Sequence, residues 1–379
     1  MAIQDKLFEL RRGPVNGRRV RQARELRGLT QAALSEVIGI DQTMVAHIER
    51  GTKQPSEELL EALSTELHLP VSFFRQGSPP EFPKGSLLFR SKSGIGKRTI
   101  SEAHAHAELV FELILRLADR ASLIPVRLPV ESDPIEAAHR VRKTLNLPDG
   151  PLSNLIRAVE RLGVITIPLP ELKGCDAFAV WAGPARTFPV IGMVTGKANE
   201  RTRMNVAHEL GHLLLHRDVM GGTQELEEQA YRFAAELLLP ASEISLDFNS
   251  ERLNLFRLAA LKRKWQVSMQ ALTRRARDLE AISDRQYRYL MQQMSMRGWR
   301  IEEPVFADQQ VEMPRLIPKL TEVTFGPTPD LRKIANEFHL AKDFLAGVLT
   351  MCSTGPSNGI TKVGSGSARV LSFASKAPD

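Results

Sequence analysis

Residues Arg203 to His216 read RMNVAHELGHLLLH, and the spacing inside that stretch decides how the middle of the chain folds. His208 and His212 stand four apart, so on a helix both imidazoles share one face and can meet one ion. Glu209, one step round, can reach a water held there. Apolar residues on both sides of the His face predict a helix buried beneath a cleft. A catalytic zinc site takes three protein ligands and leaves one position open. The following stretch, QELEEQAYRFAAELLLP (Gln224 to Pro240), predicts a second helix with Glu225, Glu227, Glu228 and Glu236 as candidate third ligands, and His216 lies one turn beyond His212.

The chain around this stretch has 379 residues, 42% hydrophobic and 25% charged, enough for two or three domains with ample core and too apolar for general disorder. No run approaches the roughly 18 apolar residues of a membrane span, and MAIQDKLFELRRG lacks the apolar core and cleavage site of a signal peptide. These features predict a cytoplasmic, nucleoid-associated protein with no membrane partner. Cys175 and Cys352 are the only cysteines and form no CxxC pair, so any metal must be held by His and carboxylate. With 51 Lys and Arg against 44 Asp and Glu the net charge is +7, unevenly spread. Glu251 to Arg300 carries twelve basic residues against four acids, and a second cluster runs Arg11, Arg12, Arg18, Arg19, Arg21, Arg24 and Arg27. Either could face phosphate backbones or be an ordinary solvated surface.

Upstream, Gly28, Gly39, Gly51 and Pro55 cut the region Arg18 to Phe74 into short helical pieces: one ending near Gly28, one from Thr30 to Val37, and one from about Asp41 to Arg50. Thr30 and Asp41 stand as N-caps. Leu26, Leu29, Ala33, Leu34, Val37, Ile40, Val45 and Ile48 fall where three short helices would bury them together. Two helices joined by a tight glycine turn make a helix-turn-helix whose third helix enters a major groove. Its outward residues are Gln42, Thr43 and His47. Gln31 would meet a phosphate or the nearest base, and Arg18 and Arg50 complete the expected DNA-binding set.

GSPPEFPKG (Gly77 to Gly85) has linker composition. A helix is expected from Ser101 to Leu123 and a helix pair from Pro134 to Leu162. VITIPL (Val164 to Leu169), DAFAVWA (Asp176 to Ala182) and FPVIGMV (Phe188 to Val194) predict a small sheet. Phe188 to Val194 is the expected strand for pairing with an extended peptide, and Arg201 and Arg203 are candidates to orient it. Beyond Pro304 one helix is expected, from Pro329 to Met351, then a Gly/Ser-rich tail.

Through LTQAALSEVIGI and VAHIERGTKQPS, residues 16 to 75 resemble the XRE/Cro-type repressor family, which implies a module that binds double-stranded operator DNA, commonly as a homodimer. ERTRMNVAHELGHLLLH (Glu200 to His216) and EEQAYRFAAELLLP (Glu227 to Pro240) closely resemble the ImmA/IrrE family of metallo-endopeptidases. That resemblance implies Glu227 as third ligand, Glu228 as fallback, and Glu209 as general base. Tyr231 stands where the family has Asn, and could stabilise an oxyanion. The implied substrate is a repressor or antitoxin-type protein of a stress, mobile-element or toxin–antitoxin locus.

The expected architecture is mainly α (α+β): an XRE-type domain over 1–76, a Pro/Gly linker over 77–98, a zincin-like domain with a small sheet over 99–305, and a helical region with a flexible tail over 306–379. The expected function is a DNA-binding zinc endopeptidase (zinc, with manganese also accepted by two His and a carboxylate) that controls transcription by cleaving a partner. The competing expectation is a regulator whose zincin domain senses a ligand or metal and cuts nothing.

Overall fold

The computed structural model describes residues 13–83, 96–171, 176–195, 198–217, 223–301, 303–304 and 311–353. The chain is mostly helical with one small sheet, as the sequence predicts. At the N-terminus α1 (Gly17–Leu26), α2 (Gln31–Ile38), α3 (Gln42–Glu49), α4 (Glu57–Leu67) and α5 (Val71–Phe74) surround Leu34, Val45, Ile48, Leu60 and Phe73. The Thr30 hydroxyl caps α2 by accepting from Ala33 N–H at 3.0 Å, and Gly39 ends it at φ 69°, a left-handed conformation that glycine adopts without a Cβ clash. Asp41 occupies the N-cap position of α3 but makes no side-chain capping bond. Val37 departs from the expected core and is 56% exposed, because α2 offers only a narrow buried stripe.

Next comes α6 (Lys97–Ala118), starting four residues ahead of the expected helix and ending before Leu123. The expected linker is packed at its described end: Phe82 is buried with its ring 5.4 Å from that of Phe111, and Gly183 N–H donates to Glu81 O at 2.7 Å. Residues 84–95 lie outside the described residues. The helices α7 (Pro134–Thr144) and α8 (Leu155–Arg161) lead into β1 (Ile165–Leu169), β2 (Ala177–Ala182) and β3 (Phe188–Val194). The strand order is β1-β3-β2, with β1 parallel and β2 antiparallel to β3.

This sheet is a wall between two cores, because successive side chains point to opposite faces. Ile165, Ile167, Phe178, Val180, Val190 and Val194 join a core that continues through α6 into the N-terminal helices. Ala177, Ala179, Ile191 and Met193 join the other core, with α9 (Asn199–Leu215), α10 (Gln224–Leu238), α11 (Ala241–Ser250), α12 (Leu255–Trp265), α13 (Met269–Asp278) and α14 (Asp284–Met296). Beyond these, α15 (Leu316–Phe325), α16 (Leu331–Phe338) and α17 (Lys342–Met351) pack on the first core. The single helix expected from Pro329 to Met351 is therefore two, broken where His339 takes φ 56° and its N–H bonds back to Asn336 O. The Gly/Ser-rich tail from 354 lies outside the described residues.

Candidate metal centre and DNA-facing surface

The HExxH stretch forms α9, whose Val206, Ala207, Leu210 and Leu213 are buried in the second core while His208 and His212 remain partly exposed. Against it runs α10, started by Thr223, whose hydroxyl accepts from Leu226 N–H at 3.3 Å. Gly211 lets the two helices approach. A Cβ there would stand 3.1 Å from Phe233 Cδ1 and 3.2 Å from Ala230 Cα. This close crossing brings Glu227, in the first turn of α10, to the two imidazoles.

His208 Nε2 lies 3.1 Å from Glu227 Oε2, His212 Nε2 3.5 Å from Glu227 Oε1, and the two Nε2 atoms are 3.2 Å apart. Ligand atoms about 2.0–2.1 Å from a tetrahedral zinc stand about 3.3 Å from one another. Each imidazole faces a different Glu227 oxygen at about that separation, and one ligand atom from each of the three residues lies within 4.8 Å of the others, so the donor set suits an ion such as zinc. The neighbouring His208 and His212 imidazoles hold the Glu227 carboxyl well below the usual carboxylate range.

Behind the ligands the hydrogen bonds run in one direction. His212 Nδ1 is 2.9 Å from His216 Nδ1, and His216 Nε2 is 2.9 Å from Gln229 Oε1. The amide oxygen of Gln229 can only accept, so His216 donates from Nε2, accepts at Nδ1, and receives the His212 Nδ1 proton. That tautomer leaves the His212 Nε2 lone pair aimed at the ligand cluster. Burial lowers the His216 pKa, which favours the neutral ring this chain of bonds needs. Gln229 carried no motif signal in the sequence, since only the α9–α10 crossing brings it to His216.

Two of the competing acids are committed elsewhere. Glu228 is exposed and pairs with Arg274 at 3.0 Å, and buried Glu236 pairs with Arg275 and His139. Among the described residues His208, His212 and Glu227 are the cluster able to hold an ion. Glu209 is buried on the same helix, immediately beside His208. Tyr231 lies one turn along α10 from Glu227. The guanidinium of Arg274 on α13 stacks 3.3 Å from its ring centroid, and its hydroxyl is buried, without a hydrogen-bond partner among the described residues, and pushed upward in pKa by that burial.

Three other expectations are corrected by packing. β3 is the central strand, paired on both sides, so it has no edge to offer a peptide. Arg203 is fully buried against Glu312 and Leu152 O, and exposed Arg201 pairs with Asp176 at 2.5 Å. Much of the basic charge of Glu251 to Arg300 is neutralised at home: Lys262 by Glu200 and Glu303, Lys264 by Asp247, Arg274 by Glu228, Arg275 by Glu236 and Arg277 by Asp278.

Residues 160–277, from the end of α8 almost to the end of α13, match the IrrE N-terminal-like domain family, and residues 20–74 match a helix-turn-helix family. The chain joins an XRE-type helix-turn-helix domain to an IrrE-like peptidase domain. Over 65 residues the helix-turn-helix part is 32% identical to the uncharacterized HTH-type transcriptional regulator YazB of Bacillus subtilis (strain 168), covering 17% of this chain and 90% of that protein. Among the described residues no helix is long and apolar enough to cross a membrane.

Within the helix-turn-helix domain, α3 leaves Gln42 and Thr43 exposed, with Arg50 at its end. His47 is half-buried, its Nδ1 2.9 Å from Thr52 Oγ1. Gln31 is partly committed: its amide nitrogen donates to Glu49 at 2.7 Å, the same carboxylate that Arg24 clamps with two bonds. Arg18 is exposed at the start of α1, where its charge acts on Glu108 of α6. Of the N-terminal arginine cluster, Arg19 and Arg24 are buried and paired, Arg21 pairs with Glu25, and Arg27 donates to the carbonyls of Leu67 and His68.

Proposed function

We propose that the chain is a DNA-binding zinc endopeptidase that regulates transcription by cleaving a repressor- or antitoxin-type protein, and that it binds its operator as a homodimer. The observation that carries the peptidase reading is the convergence of His208 Nε2, His212 Nε2 and the Glu227 carboxylate beside a helix that also carries Glu209. When bound there, zinc supplies Lewis acidity that polarises a carbonyl and acidifies water. His208, His212 and Glu227 would hold it, and the same donors also accept manganese.

Glu209 is the proton carrier: its carboxylate accepts a proton from the attacking water and delivers it to the leaving amine nitrogen. Three ligands would hold the ion without it, so a second acid beside His208 fits hydrolysis better than metal sensing. His216 and Gln229 fix the His212 ring in the tautomer that ligation needs. The substrate class rests on the resemblance to ImmA/IrrE peptidases, and the fused helix-turn-helix domain would concentrate the peptidase where a DNA-bound substrate sits.

The test incubates zinc-loaded wild type and Glu209→Gln, metal content measured in both, with lysate of the source cell and reads new protein N-termini. Cleavage of a DNA-binding repressor or antitoxin-type protein by wild type alone is expected. Identical N-termini with both proteins would overturn the hydrolytic assignment and leave a metal-binding regulator.

A further inference from the structure

Beside the helix-turn-helix domain lies a cleft of about 330 Å³. One wall is the start of α2 and α3, with Thr30, Gln31 and Gln42; the other is the first turn of α6, with Lys97 and Arg98. The two walls touch at the α1–α2 turn. A Cβ on Gly28 would stand 2.8 Å from Glu102 Oε2 and 3.2 Å from Arg98 Nε. Lys97 and Arg98 are both exposed, and neither makes an ion pair within 4 Å among the described residues.

The acids bordering this cleft are engaged. Glu25 takes Arg21 at 2.9 Å, and Glu49 behind it takes Arg24 and Gln31. Glu102 lies under Arg98, with burial raising its carboxyl and Arg98 opposing that shift. Lys97 and Arg98 together outweigh Glu102 and leave this flank net positive, continuous with the edge of α2 and α3 from which Gln31 and Gln42 would reach a duplex. A helix-turn-helix is positioned on DNA mainly by contacts to phosphates along its flanks, and the arginines of α1 that the sequence offered for this are largely consumed inside the protein.

We propose that Lys97 and Arg98 form a second DNA-contacting element outside the helix-turn-helix domain, gripping the phosphate backbone that flanks the major groove occupied by α3. This inference rests on the DNA-binding reading of that domain and adds what the peptidase side contributes to it. The structural consequence follows from α6 itself. Its 22 residues span about 33 Å, and its buried middle packs on β1, where His106 Nε2 meets Pro168 O at 3.1 Å. A helix that touches phosphate at one end and the sheet beside α9 further along would fix the orientation of the peptidase domain relative to the duplex.

The experiment measures binding of the full chain to a fluorescein-labelled mixed-sequence duplex of two helical turns over a salt series. The proteins are wild type, Lys97→Ala/Arg98→Ala, and a control, Lys143→Ala, exposed on the peptidase-side helix α7. Each phosphate contact contributes about 0.9 to the slope of log K against log salt. The double variant should lower the magnitude of that slope by about 2 and weaken binding at low salt at least tenfold, with the control matching wild type. An unchanged slope in a double variant of wild-type thermal stability overturns the proposal while leaving DNA binding intact, as does tighter binding, which would mean that α6 obstructs the duplex. If wild type itself binds no duplex at any salt, the DNA-binding reading falls first and this inference with it.

Discussion

Two sets of polar side chains in this molecule have opposite fates. Arg19 of α1 is buried and makes a two-point ion pair with Glu112 of α6, at 2.6 and 2.8 Å, while Gln22 reaches Glu108 at 2.7 Å beside it. The Arg19 and Glu112 charges match each other, and the network joins the helix-turn-helix domain to α6. His208, His212 and Glu227 instead sit partly exposed with their lone pairs converging. The first arrangement is complete as it stands. The second has the donor set for the cation that we propose it holds, and the contrast separates a structural network from a candidate functional one more clearly than residue type does.

The largest expected effect tests the second set. Glu227→Gln or His208→Ala should take bound zinc from one ion per chain to none after dialysis, read by elemental analysis, while changing the metal-free unfolding free energy by less than about 0.5 kcal/mol. A large loss of metal-free stability would show that the cluster is structural after all. Next is the first set. Arg19→Met removes one partner of a buried pair and should cost about 3 kcal/mol in urea unfolding, and adding Glu112→Leu should recover more than half of it, since matched apolar groups replace buried pairs well. No recovery would mean that this network contributes more than charge matching.

A smaller effect sharpens the contrast. His216→Ala should weaken zinc binding by about 10- to 100-fold in competition with a chelator, and Gln229→Leu should do the same by a smaller factor. Unchanged affinity in both would show that His212 needs no orienting partner. The smallest concerns Glu108, whose carboxyl is pushed up to about 7 by burial, against the opposing charges of Arg18 and Arg19 and the bond from Gln22. Its folded pKa is raised above the ordinary 4.5, so its favourable contribution is full below pH 4.5 and is lost as pH rises through about 7. Glu108→Gln should therefore raise stability at pH 8 by about 1–2 kcal/mol and give no gain at pH 4, measured by denaturant unfolding at both.

Local patterns in the sequence placed most elements. The Thr30 cap and the left-handed Gly39 bounded the helix-turn-helix, short apolar runs marked the three strands, and the i, i+4 histidines marked α9, because caps, turns and local hydrophobicity are short-range physics. The stretch expected as one helix from Pro329 to Met351 is two, broken at His339, around which the spacing is helix-turn-helix-like. The other misses share a long-range cause. The central position of β3, which denies it a peptide, depends on which strands lie on either side. The stacking of Arg274 of α13 on the Tyr231 ring was likewise beyond local pattern.

The sequence by itself determined the chemistry available to this protein: an HExxH helix, an acid-rich helix after it, a helix-turn-helix and an excess of arginine. Tertiary structure alone decided which groups that chemistry uses. It chose Glu227 over Glu228 and Glu236 through the close crossing at Gly211, recruited Gln229 through His216, and turned much of the N-terminal arginine cluster inward. The reason is that ligation and burial are set by distances across elements far apart in the chain. A residue's type fixes what it can bind, and only its neighbours in space fix whether its lone pairs and charges are already taken.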